Sequence, residues 1–146
     1  MKKIAIGSDH RGYEIKRYLV SLDHIGDHKI SWIDVGTSHN ERTDYPQYAE
    51  KVVRFVQKHD VDCGILLCGT GIGMSIAANR FKGIFAALVW NEEVARRSKR
   101  EDGSNVLVLP ADYLDNEQAL ILVLAWLDSE FLGGHYAERL RQVESF

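Results

Sequence analysis

The sequence predicts an α/β fold in which one parallel, five-stranded sheet carries helices on both faces. Three observations lead there. Short apolar runs alternate with amphipathic stretches five times along the chain. An apolar run, Cys63 to Leu67, enters Cys68-Gly69-Thr70-Gly71-Ile72-Gly73-Met74-Ser75 and continues as a helix to Arg80. This is the strand–loop–helix unit that aims backbone N–H groups at an anion. Finally, 146 residues with no linker, repeat or low-complexity tract suit one domain, residues 1–146, with a sizeable core.

Each element follows from local pattern. Lys3-Ile4-Ala5-Ile6-Gly7 is the first strand, and Ser8-Asp9-His10-Arg11-Gly12 is the polar turn after it. Tyr13 to Leu22 sets Ile15, Tyr18, Leu19 and Leu22 at helical spacing. Ile30 to Val35, closed by Gly36, is the second strand, and Thr37 to Asp44 is polar loop. Pro46 suits the first turn of a helix whose apolar face is Tyr48, Ala49, Val52, Val53 and Val56. Asp62 to Cys68 is the third strand, with a helix from Gly71 to Arg80. Gly83 to Trp90 is the fourth strand. Asn91 then caps a helix to Lys99 that has acids in its first turn. Asn105 to Leu109 is the fifth strand. Asn116 to Phe131 is a strongly apolar helix closed by Gly133-Gly134, and Tyr136 to Val143 is a final helix with a charged face.

Totals exclude several classes. A net charge of -3 gives no electrostatic reason to expect nucleic acid. No apolar stretch is long enough to span a bilayer. Met1-Lys2-Lys3-Ile4 runs straight into strand, so no signal peptide is expected. Cys63 and Cys68 are too far apart along one strand for a disulfide, which predicts free thiols and a cytoplasmic location. No histidine or cysteine cluster has ligand spacing, so neither metal nor cofactor is expected.

Right-handed crossovers put the loops after the strands along one edge, where ligands bind in open sheets. Asp9 and His10, Cys68 to Gly73, and Asn91 converge there. A thiol at a glycine turn that opens a helix is placed to ionise, so Cys68 is a candidate base and the amides after it candidate anion donors. The bland alternative is a buried strand cysteine beside a tight turn. Asp9 and His10 either handle a sugar hydroxyl or anion, or form a solvated turn with an N-cap. Tyr45 either donates into the site or packs over the sheet edge. Alternating Gly69, Gly71 and Gly73 allow backbone to approach an oxyanion. They match neither the dinucleotide fingerprint nor a Walker loop, which argues against a nucleotide or flavin module. Arg139 and Arg141 form either a solvated helix face or, with a phosphate ligand, a bidentate donor set.

Gly7-Ser8-Asp9-His10, Glu41-Arg42-Thr43-Asp44-Tyr45-Pro46 and Cys68-Gly69-Thr70-Gly71-Ile72-Gly73-Met74-Ser75-Ile76-Ala77-Ala78-Asn79-Arg80 resemble ribose-5-phosphate isomerase type B. That family includes the galactose-6-phosphate isomerase subunits, and the resemblance covers nearly the whole chain. It implies a Rossmann-like three-layer sandwich, a homodimer or dimer of dimers with interfacial active sites, and no metal or cofactor. It also implies aldose–ketose isomerisation of a sugar phosphate through a cis-enediolate. Cys68 would be the base, the amides of Gly69 to Gly73 would hold the enediolate oxygen, and Met74 and Ser75 would complete that loop. Thr70 and Asp9 would bind sugar oxygens and move protons. His10 and Arg139 would serve the phosphate or ring-opening end, and Tyr45 would line the pocket.

Three places depart from the family. Where it often carries a ring-opening His-Asn pair before the fifth strand, this chain has Glu101-Asp102, and Glu101 would be the catalytic general acid in the histidine's place. An arginine expected after the fifth strand is Asp112, and one expected after the double glycine is His135. Acids there would repel a dianionic phosphate. The isomerisation core is therefore intact while the substrate's far end is altered, and the preferred sugar need not be ribose 5-phosphate. A non-catalytic sugar-phosphate binder, or a partner subunit of a hetero-oligomer, is the alternative.

Overall fold

The computed structural model describes residues 1–146. Strands β1 (Lys2–Ser8), β2 (His24–Ile25), β3 (His28–Asp34), β4 (Cys63–Cys68), β5 (Ala86–Leu88) and β6 (Val106–Pro110) form one sheet in the order β2-β3-β1-β4-β6-β5. All neighbours pair in parallel except β2 with β3. The helices are α1 (Tyr13–Val20), α2 (Tyr45–Gln57), α3 (Ile72–Ala78), α4 (Glu92–Arg100), α5 (Asn116–Leu127) and α6 (His135–Glu144).

The strand alternation sorts side chains onto two faces. Ile4, Ile6, Ile65, Leu67, Leu107 and Leu109 pack against Ile15 and Leu19 of α1 and Ala119, Leu122, Val123 and Trp126 of α5. Ala5, Leu66, Cys68, Val106 and Val108 pack against Val52, Val53 and Val56 of α2 and Met74 and Ala78 of α3. Near-continuous burial along β4 and β6 is what a sheet covered on both sides requires.

The five predicted parallel strands are present, and β2 is an addition. Its two residues pair antiparallel with His28 and Lys29 around Gly26, whose φ is +57°. Two residues are too few to show a period, so only the Gly26-Asp27 dipeptide could have signalled the turn. β5 is shorter than the predicted Gly83 to Trp90. Its entry is held by side chains: Asn79 Nδ2 donates to Ala86 O at 3.0 Å, and Ala86 N donates to Asn79 Oδ1 at 2.8 Å. α5 stops at Leu127 rather than Phe131, and Ser129 Oγ donates back to Ala125 O at 2.8 Å.

Candidate active site

The carboxyl ends of β1, β4 and β6 bring three turns together. Asp9 follows β1, is 5% exposed, and accepts from Arg11 N at 2.9 Å and Gly12 N at 3.3 Å. It therefore caps the 3-10 turn His10–Gly12, as the bland reading holds, while its charge still reaches Cys68. Thr43 N donates to His10 Nδ1 at 3.2 Å. That nitrogen is then an acceptor, so the neutral ring carries its proton on Nε2, where it can serve a ligand.

Cys68 ends β4 with 5% of its surface exposed. Burial is the largest influence on its thiol and pushes the pKa up; the N–H groups of Met74, Gly71 and Gly73 act on the sulfur in the opposite direction, and Asp9 adds to the rise. The net direction is upward. Loss of water around the sulfur therefore works against the ionisation expected of a thiol at a helix start, and the amides that open the seven-residue α3 work for it. Both cysteines are free.

The glycine loop has a structural reason at each turn. Gly71 takes φ +78°, and a methyl carbon there would stand 2.5 Å from Leu88 Cδ1. A methyl carbon at Gly73 would stand 2.5 Å from the Tyr45 ring, so Tyr45 lies directly over the loop. Thr70 Oγ1 accepts from Ile72 N at 3.2 Å. The amides of Gly69 and Thr70 make no hydrogen bond within the chain. Met74 is buried in the core beneath, and Ser75 N donates to Gly71 O at 3.0 Å. Asp112, after β6, donates its N–H to Gly69 O at 3.0 Å and pairs with Arg11.

The remaining expected residues lie elsewhere. Glu101 and Asp102 precede β6, at the amino edge of the sheet, whereas Asp112 follows it. Five strand residues separate those edges, about 16 Å at 3.3 Å per residue. Glu101 accepts from Arg97 Nε at 3.1 Å. Burial pushes the Asp102 carboxyl up, Glu101 adds to the rise, and Arg97 and Arg139 oppose it. His135 packs on Tyr136 with ring centroids 4.1 Å apart, and Arg139 lies over the same Tyr136 ring at 5.7 Å. One chain therefore holds two clusters: Asp9, His10, Tyr45, Asp112 and the Cys68–Ser75 loop at one edge, and Glu101, Asp102, His135 and Arg139 at the other.

The sequence reading missed Arg11, although it adjoins Asp9 and His10; its partner Asp112 lies 101 residues away. It also missed the buried hydroxyls of Ser8, Thr37 and Thr43, which have no partner in the chain. No group of three or more His, Cys, Asp or Glu residues converges in metal-ligand fashion. No helix is long and apolar enough to cross a membrane.

A mostly parallel sheet with an acid, a thiol and an amide-rich glycine loop on its carboxyl edge has the outline of an enzyme that handles a small anionic substrate. Residues 4–143 match the family model described as Ribose/Galactose Isomerase. Ribose-5-phosphate isomerase B of Escherichia coli is 41% identical over 143 residues, covering 98% of this chain and 95% of that protein. The crystal structure of a ribose 5-phosphate isomerase from Thermotoga maritima superposes with TM-score 0.94 at 42% identity, covering 99% of both chains. Ribose-5-phosphate isomerase B of Mycoplasma genitalium, solved with bound ribulose-5-phosphate, gives TM-score 0.88 at 32% identity over 98% of this chain and 94% of that one. The chain belongs to the ribose/galactose isomerase family and is an isomerase by class.

Proposed function

We propose that the protein interconverts the aldose and ketose forms of a phosphorylated sugar through a cis-enediolate, with Cys68 as the base and with neither metal nor cofactor. The observation that carries this is the meeting of Cys68, Asp9 and the amide-rich glycine loop on one sheet edge. The thiolate takes the proton from the carbon beside the carbonyl, and the carbonyl oxygen becomes the enediolate oxygen. The amides of Gly69 to Gly73 stabilise that charge; those of Gly69 and Thr70 are unused within the chain. The thiol returns the proton to the neighbouring carbon, while Thr70 and Asp9 move the hydroxyl proton between the two oxygens. His10 presents Nε2–H to the sugar or phosphate, and Tyr45 covers the loop.

The two edges supply two halves of a site. In a symmetric dimer the amino-edge cluster of one copy, Glu101, Asp102, His135 and Arg139, would complete the carboxyl-edge cluster of the other. Ile72 and Ile76, one turn apart on the outer face of α3, are 55% and 57% exposed and offer an apolar surface for a second copy. Free thiols suit a reducing compartment, the cytoplasm.

The test is turnover on a panel of aldose and ketose phosphates of four to six carbons. Cys68→Ala should lower kcat/KM by about 10²–10⁴-fold, the worth of a positioned base; undiminished turnover removes Cys68 from that role. Cys68→Ala and Arg139→Ala chains, each inactive alone, should regain activity when mixed if sites are shared between copies. Binding across the panel with no isomerisation by the wild type would overturn the proposal.

A further inference from the structure

The rim of the carboxyl-edge site carries a charge pair that the reaction above does not use. Arg11 leaves its turn with its main-chain N–H on Asp9 Oδ1, and Asp112 leaves its turn with its main-chain N–H on Gly69 O. Their side chains meet as a fork: Arg11 Nε donates to Asp112 Oδ1 at 3.1 Å, and Nη2 donates to Oδ2. The pair stands over the first glycine of the loop. A methyl carbon at Gly69 would lie 2.6 Å from Arg11 Nε and 2.8 Å from Asp112 Oδ2. The two side chains are 55% and 29% exposed, so the pair borders solvent rather than the core.

Separately the two groups would give this rim opposite characters. A free guanidinium would offer a phosphate a bidentate donor set, and a free carboxylate would repel it. Joined, their charges cancel. What remains is a donor, the Nη1 amino group of Arg11, beside the outward lone pairs of Asp112, which is the hydrogen-bonding pattern of a hydroxyl. We propose that the Arg11–Asp112 pair is a specificity-determining element that makes the rim above Gly69 read sugar hydroxyls and refuse a phosphate group. The proposal rests on the isomerase reading for its class of substrate.

The test titrates inorganic phosphate into the intact protein by calorimetry at low salt. Asp112→Asn frees Arg11 and should tighten phosphate about tenfold, the effect of removing one like charge a few ångströms from an anion in a wet site. Asp112→Ala should do the same and guards against a fold defect peculiar to one variant. Arg11→Gln should weaken phosphate, and the double variant Arg11→Gln/Asp112→Asn should return to within about threefold of wild type, because the charges cancel. Affinity unchanged or looser in both Asp112 variants overturns the proposal, as does tightening that survives in the double variant. Calorimetry reads no turnover, so the fate of Cys68→Ala bears on the isomerase reading alone.

Discussion

Lys16 and Asp34 allow an asymmetry to be predicted from burial. Lys16 Nζ, on α1, donates to Asp34 Oδ1 at 2.9 Å and Oδ2 at 2.7 Å at the end of β3. The lysine side chain is 3% exposed and the aspartate side chain 35%. Asp34 Oδ1 also accepts from Gly36 N at 2.9 Å. Gly36 O accepts from Ser8 N at 2.7 Å, directly before Asp9. Asp34→Ala strands an ammonium group out of water, at about 3–5 kcal/mol, and loses the bond to Gly36, about 1 kcal/mol more. Lys16→Met removes the charge together with its desolvation and refills the space with an apolar chain. Asp34 keeps water and Gly36, so the cost is about 1–2 kcal/mol. Urea unfolding at pH 7, followed by circular dichroism and tryptophan fluorescence at one fixed protein concentration, measures both. Lys16→Met proving as costly as Asp34→Ala would refute the reasoning, since desolvation of the ammonium would then not dominate.

Three further outcomes are expected. Because burial lifts the Cys68 thiol above its ordinary 9.0, kcat/KM should climb about tenfold per pH unit between 7 and 9; a profile already flat at pH 6 removes Cys68 as the titrating base. Burial pushes Cys63 from 9.0 up to about 11, so its thiol contributes stability below pH 9 that is lost as pH rises through 11. The loss is ~3 kcal/mol, seen as an alkaline fall in urea midpoint that Cys63→Ala flattens. Gly71→Ala forces a side chain onto φ +78° against Leu88, so thermal unfolding should show a loss of about 1–3 kcal/mol, with turnover falling as the loop shifts.

The candidate site was legible in part. Asp9, His10 and the Cys68–Ser75 loop were placed together because each directly follows a strand, and strand ends on a parallel sheet share an edge. The same logic places Glu101 and Asp102 at the other edge, since they precede β6. The family resemblance groups them with Cys68 in a site that lies between copies. Asp112 read as an uncompensated acid because its counter-ion, Arg11, lies 101 residues earlier. Tyr45 over Gly73 joins a helix start to a turn 28 positions on, and no local pattern encodes that contact.

Periodicity and turn chemistry are short-range properties, so the sequence by itself determined the alternation of strands and helices, the two-sided sheet, and the edge on which Asp9 and Cys68 stand. The burial of the Cys68 thiol, the pairing of Asp112 with Arg11, the Lys16–Asp34 anchor and the separation of Glu101 and Asp102 from Cys68 across the sheet were decided only by the tertiary structure. Desolvation and ion pairing act through space. They depend on which groups remote in the chain exclude water or supply the opposite charge.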